Sequence, residues 1–200
     1  MGAPVTFFLP VDALKMRRVL LALGLSVAMS GCAAVDALTG SGVDPEARIF
    51  DSPWTWTDES GVSTTFARWR GSAIVTTGFF GSCTMRCPMT IAKLRELDEH
   101  LRAHGQSAEF VLVTIDPDTD TVERLRQLKA SRHLPSSWHL LRGNLSDSRS
   151  FSRFLHLNVA RDSGHIDHDV KIAVFDAAGA FVHSFAGWSF GDDEILATSH

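Results

Sequence analysis

With 200 residues, 44% of them hydrophobic and 21% charged, the chain is long and apolar enough to bury one substantial core, which excludes disorder along its length. Its net charge of −4, with no run of lysines or arginines, argues against a nucleic-acid partner.

Lys15, Arg17 and Arg18 precede an apolar and small-residue run from Val19 to Met29, which is too short to cross a bilayer as a helix. A positive start, a short apolar middle and small residues at the cut are the marks of a secretory signal, here residues 1–31 with Met16 as an alternative start. Met29-Ser30-Gly31-Cys32 resembles a bacterial lipobox. That resemblance implies cleavage before Cys32, acylation of its sulfur, and a protein anchored by lipid on the periplasmic face of a membrane. An ordinary signal peptide with an incidental cysteine is the competing reading. Residues 32–51, rich in Ala, Gly, Ser and Asp, read as a tether, and the folded domain is expected over residues 52–200.

Within that domain, Trp54–Trp56 and Val62–Thr65 flank Asp58-Glu59-Ser60-Gly61, which predicts a hairpin. Ser72–Thr77 is a short apolar run suited to a buried strand. Met89, Ala92, Leu94, Leu97 and Leu101 recur at helical spacing and predict a helix over 88–104. Phe110–Ile115 is a second buried strand, Thr121–Arg132 a second amphipathic helix, Trp138–Leu141 a third strand and Ser148–Leu157 a short helix. Val170–Phe175 and Phe181–Phe185 flank Asp176-Ala177-Ala178-Gly179, a second hairpin, and a closing helix is predicted at Gly191–Thr198. Strand and helix alternate before a final hairpin, with a cysteine pair between the first core strand and the first long helix. That order resembles the thioredoxin-like α/β fold: three layers, a central mixed sheet with helices on both faces, and an N-terminal β-hairpin.

The chain has three cysteines; if Cys32 carries lipid, Cys83 and Cys87 remain. They close too small a loop to staple a fold of this size, so a reactive or metal-binding role competes with an inert local disulfide. The pair lies in Gly81-Ser82-Cys83-Thr84-Met85-Arg86-Cys87-Pro88, between a strand and a helix. Unpaired N–H groups at a helix N-terminus favour thiolate over thiol, and Arg86 is expected to add to that effect. Cysteines four apart on a helix have Cβ atoms roughly 5–6 Å apart, wider than a disulfide wants, so Cys83 is expected in the loop before the helix. The spacing permits dithiol chemistry and leans toward chelation.

Two soft sulfurs select Cu(I) or zinc, and zinc wants four ligands. A histidine would complete a copper site. Of the nine histidines, His165 and His168 stand directly before the late strand, in Gly164-His165-Ile166-Asp167-His168-Asp169, where Asp167 and Asp169 could orient a ring. A loop histidine paired to aspartate is the alternative.

Taken together, Cys83-Thr84-Met85-Arg86-Cys87-Pro88, Thr114-Ile115-Asp116-Pro117-Asp118-Thr119-Asp120-Thr121 and Asp167-His168-Asp169 resemble the Sco/SenC family, copper proteins that assist assembly of the dinuclear copper centre of cytochrome c oxidase. The resemblance runs from about Pro53 to Trp188. It implies Cys83, Cys87 and His168 as copper ligands, a copper ion as cofactor, and a respiratory oxidase copper subunit or another copper or thiol protein as partner. The family usually has Pro and Asp after its first cysteine; here Thr84 and Met85 stand there, Met85 being read as apolar filler rather than as a soft donor.

Copper delivery is the leading expectation. A membrane-anchored thiol–disulfide oxidoreductase is the alternative, with Cys83 attacking and Cys87 resolving. A peroxidase is disfavoured, because Ser82 and Arg86 do not match the spacing that chemistry uses. A binding-only lipoprotein would leave the cysteines unresponsive to redox buffers.

Overall fold

The computed structural model describes residue 46 and residues 48–162 and 165–188. The signal segment, Cys32, most of the tether and the helix expected at Gly191–Thr198 lie outside the described residues.

Where the tether was expected to end, Ile49–Asp51 form a 3-10 turn with Ile49 and Phe50 buried. Arg48 bridges to Ala180, and Gly179, at φ +80° in the turn of the final hairpin, leaves no room for a Cβ against the Phe50 ring. The segment Arg48–Phe50 is thus already packed, because Ile49-Phe50 is apolar enough to join the core.

β1 (Trp56–Asp58) and β2 (Ser63–Thr64) form the N-terminal hairpin. Its turn is closed by the Asp58 carboxylate, which accepts from the Ser60 and Val62 amides and the Ser60 hydroxyl. A second 3-10 turn, Phe66–Trp69, leads to β3 (Ala73–Phe79). Then come α1 (Arg86–Ala103), β4 (Ala108–Thr114), α2 (Val122–Ser131), β5 (Trp138–Arg142) and α3 (Leu145–Phe154). The side chains of Thr121 and Asn144 cap α2 and α3 by accepting the Arg124 and Asp147 amides.

The main sheet runs β2-β1-β5-β4-β3-β8-β9, with β8 at Lys171–Phe175 and β9 at Phe181–Ala186. β3, β4 and β5 are parallel, and β1, β8 and β9 extend the sheet antiparallel on either side. This is the mixed sheet the sequence predicts. Its central strands are buried on both faces, which explains their unbroken apolar runs. Ile91, Leu94, Leu97 and Leu101 of α1 and Leu125 of α2 pack on one face, against Val75, Phe110, Leu112 and Leu140. On the other, Phe151 and Leu155 meet Ile74, Val111, Val113 and the N-terminal aromatics Trp54, Trp56 and Phe66.

A further element also departs from the sequence reading. The stretch before β8, expected as a loop, is a separate two-stranded arm of β6 (Val159–Asp162) and β7 (His165–His168). Its strands are short, polar and largely exposed, so they lack the apolar alternation by which a strand is recognised.

Candidate functional site

The register of β3 on β4 pairs Phe79 with Thr114, so the two strands end side by side and the loops that follow them meet. The first loop carries Cys83 and the second carries Asp116 and Asp120. Asp120 ties them together: one carboxylate oxygen accepts the Gly81 amide at 2.8 Å and the Thr114 hydroxyl at 2.5 Å. The approach is close enough that a Cβ on Gly81 would fall 2.6 Å from the other oxygen. Asp120 is almost wholly buried, and burial raises its pKa above the ordinary carboxylate value despite those two bonds.

Both thiols are free. Cys83 lies in the loop ahead of α1, as the spacing requires, and Cys87 sits in the first helical turn, with Pro88 following where its missing N–H costs no helical bond. The two are in contact: Cys83 Sγ accepts the Cys87 amide at 3.4 Å, while Cys87 Sγ donates to the Phe80 carbonyl at 3.3 Å. Partial burial opposes ionisation of Cys83, but the Cys87 and Met85 amides, the Cys87 thiol and the Arg86 amide outweigh it and hold its pKa below the usual thiol value. Burial pushes Cys87 up to about 12, and the neighbouring Cys83 sulfur and Asp120 carboxylate push the same way. Cys83, at the cavity wall, ionises more easily than an ordinary thiol; Cys87 is sheltered and held protonated.

Arg86 does not serve the thiols as expected. Its guanidinium reaches across to the arm, donating to the Asp167 carboxylate and the His168 carbonyl. The aspartates beside His168 also differ from expectation. Asp167 takes Arg86, and Asp169 holds the Asn158 amide and side chain. The ring is fixed instead by the main chain: Nδ1 lies 2.6 Å from the Asp169 carbonyl. A carbonyl only accepts, so Nδ1 carries the proton and Nε2 of the neutral ring keeps its lone pair. Burial lowers the pKa of His168, which favours that neutral form. Nε2 is buried and has no hydrogen-bond partner.

Cys83, Met85, Asp116, His165 and His168 line one cavity of about 440 Å³. Phe80 touches both halves of the site, its ring edge-on to His168 at 5.5 Å and its carbonyl taking the Cys87 thiol. The structure thus joins Cys83 to Cys87 directly, and Cys83 to His168 across a shared cavity. Cys87 is not part of the cavity wall, and among the described residues no three His, Cys, Asp or Glu side chains are grouped tightly enough to hold an ion. The donor set itself, two sulfurs and an imidazole nitrogen with a free lone pair, suits a thiophilic ion.

Sequence reasoning missed Asp120, Phe80 and the Arg86 latch. Asp120 had a usable signal: an acidic loop directly after a buried parallel strand falls where such sheets place their sites. Asp116, expected near the site, lines the cavity and lies 3.6 Å from Arg161.

The family model described as SCO1/SenC matches residues 43–199. No curated protein is significantly similar in sequence. Among solved structures, the chain is similar to a SCO1/SenC family lipoprotein from Bacillus anthracis, at 23% identity and a TM-score of 0.66, over 72% of this chain and 89% of that one. It is similar to copper-bound ScoI of Arabidopsis thaliana, at 19% identity and 0.65, over 73% and 92%. It is also similar to BsSco, a Sco-family cytochrome c oxidase assembly protein described with a disulfide switch, at 20% identity and 0.64, over 78% and 93%. At these identities the structural likeness establishes the thioredoxin-like Sco fold.

Proposed function

Because this chain belongs to the SCO1/SenC family, we propose that it carries copper for the assembly of a respiratory oxidase, with Cys83, Cys87 and His168 as the ligands. Copper is cargo here, and a copper-site subunit of the oxidase is the receiver. The observation that carries the reading is the buried, unpartnered Nε2 of His168 in the cavity that Cys83 lines. A buried nitrogen with an unused lone pair costs stability, and a bound ion at that position would satisfy it.

Each residue has a part. Cys83, at the cavity wall with its pKa lowered, engages the ion first. Cys87 gives up its bond to the Phe80 carbonyl and its proton to become the second sulfur donor. His168 arrives with its tautomer already set by the Asp169 carbonyl. Completing the set requires the β6–β7 arm to shift toward the sulfurs. Ligand exchange then passes the ion on. A partner disulfide can oxidise the empty pair: it takes two electrons and two protons and leaves as two thiols, while Cys83 and Cys87 become a disulfide that cannot bind copper. By the same proposal, the lipobox-like Met29-Ser30-Gly31-Cys32 directs removal of residues 1–31 as the signal and acylation of Cys32, which anchors the domain on the periplasmic face of a membrane.

Cu(I) titration of the reduced protein tests this. One equivalent is expected, and Cys83→Ser, Cys87→Ser and His168→Ala should each weaken binding strongly. Unchanged affinity in all three would overturn the assignment.

The unequal thiols favour a second reading, a thiol–disulfide oxidoreductase in which Cys83 attacks and Cys87 resolves. Metal-independent turnover that survives His168→Ala would support it.

A further inference from the structure

Met85 and Met89 are the largest mismatch between chemistry and position in the described fold. Met85 is 73% exposed and Met89 48%, and Val62 is the one other large apolar side chain so exposed among the described residues. Met85 is therefore not the apolar filler that the sequence reading made it. Of the five methionines, three (Met1, Met16 and Met29) precede Cys32, so everything after Cys32 contains only these two. Every sulfur beyond Cys32 thus falls in one seven-residue stretch, at alternate positions: Cys83, Met85, Cys87, Met89.

The backbone divides the four into two pairs. The cysteines turn inward, Cys87 buried and Cys83 at the cavity wall. Met85 is the N-cap of α1 and Met89 lies one turn further along. Residues four apart at this pitch share a face, with Cβ atoms roughly 5–6 Å apart. Each side chain is unbranched with three free torsions, so two thioether sulfurs at this spacing can close on one ion. Met85 also lines the cavity with Cys83 and His168, whereas Met89 lies outside it. The donors therefore form a path from open surface to cavity wall.

We propose that Met85 and Met89 form a surface dithioether site for Cu(I), through which the ion enters and leaves the cavity. The proposal rests on the copper-carrying reading and adds a route to it. Thioethers are neutral and soft. They accept Cu(I) without losing a proton, discriminate against hard cations, and hold the ion less tightly than thiolates do. Inward transfer to Cys83 is thus downhill, and outward transfer to a receiver avoids releasing free ion. No electron moves in either step; one sulfur donor replaces another. Arg86, on the intervening turn, is tied to Asp167 and so directed at the arm rather than at the methionines.

The test uses the mature chain in detergent with its two methionine methyls carbon-13 labelled. In a Cys83→Ser, Cys87→Ser background, Ag(I) as a redox-inert stand-in for Cu(I) should shift both methyl resonances together and saturate at one equivalent; Met85→Leu with Met89→Leu should abolish that uptake. With the cysteines intact, the same two leucine substitutions should slow transfer of bound copper to a Cu(I) chelator several-fold. Leucine keeps the apolar surface, so unaltered transfer together with unmoved methyls would reduce the pair to an apolar contact and overturn the proposal. Wild-type protein that loads copper on its cysteines, when the cysteine-free variant's methyls stay unmoved by Ag(I), refutes this route alone. Wild-type protein that binds no copper at the cysteines refutes the carrier reading itself.

Discussion

Asp120 offers the sharpest test of how the site is held. It lies 39 residues from Gly81, yet its carboxylate is the acceptor for the Gly81 amide and the Thr114 hydroxyl. Comparing Asp120→Ala with Asp120→Asn isolates that role, because both variants remove the charge and its burial cost while only asparagine keeps an acceptor. Thr114 is fully buried, so its hydroxyl pays the whole price of an orphaned donor; Gly81 is half-buried and loses less. At about 1–3 kcal/mol per orphaned group, alanine should be ~2–4 kcal/mol less stable than asparagine. For a domain of this size that separates their melting temperatures by roughly 5–15 °C. Urea and thermal unfolding of the reduced protein measure it, and alanine should also speed hydrogen exchange at the Gly81 amide. The sign with pH follows from the raised pKa. The ionised form is penalised in the fold, and that penalty disappears as pH falls through the folded pKa to the unfolded value of 3.8. Wild type should therefore gain on Asp120→Asn as pH drops from neutrality toward about pH 4. Alanine and asparagine variants of equal stability, within about 1 kcal/mol, would refute the reasoning.

Three further outcomes follow from the same geometry. At mildly alkaline pH, iodoacetamide should modify Cys83 well before Cys87, whose pKa is pushed up to about 12 by burial; peptide mapping showing equal rates would contradict the assigned environments. Asp58→Asn should cost about 1–2 kcal/mol at neutral pH, since burial disfavours the Asp58 charge but the bonds from Ser60, Val62 and Arg68 more than compensate and lower its pKa. That contribution is present above the unfolded value of 3.8 and is lost as pH falls through the lower folded pKa, so the stability curves of variant and wild type should converge below it. Arg86→Gln should release the arm from the start of α1, seen as faster hydrogen exchange across His165–His168 and quicker copper loss; unchanged exchange would show that the latch holds nothing.

Much of the fold was legible because local pattern carries it. Buried parallel strands such as Val111–Val113 read as unbroken apolar runs, and α1 shows its apolar residues at helical spacing. The cysteine pair was equally plain, since a separation of four positions at a strand-to-helix junction constrains where two sulfurs can lie. What failed were stretches where long-range contacts override composition. Ile49 and Phe50, at the end of a polar tether, are captured by the core, and β6–β7 form an arm whose pairing follows no apolar alternation. Met85 was misjudged for a related reason: sequence shows an apolar residue, but only the packing shows that nothing covers it.

The amino-acid order alone determined the strand and helix succession of the main sheet and the sulfur-rich stretch from Cys83 to Met89, because each depends on neighbours within a few residues, and it narrowed the histidines to His165 and His168, between which the family resemblance chose. Tertiary structure decided the rest. The parallel register that ends β3 beside β4 brings Asp120 to Gly81, and the arm brings Asp167 and His168 to Arg86 across more than 80 residues of chain. Such polar pairings are single events between distant side chains. They have no period for a sequence to display, and they exist only once the sheet order has set which loops meet.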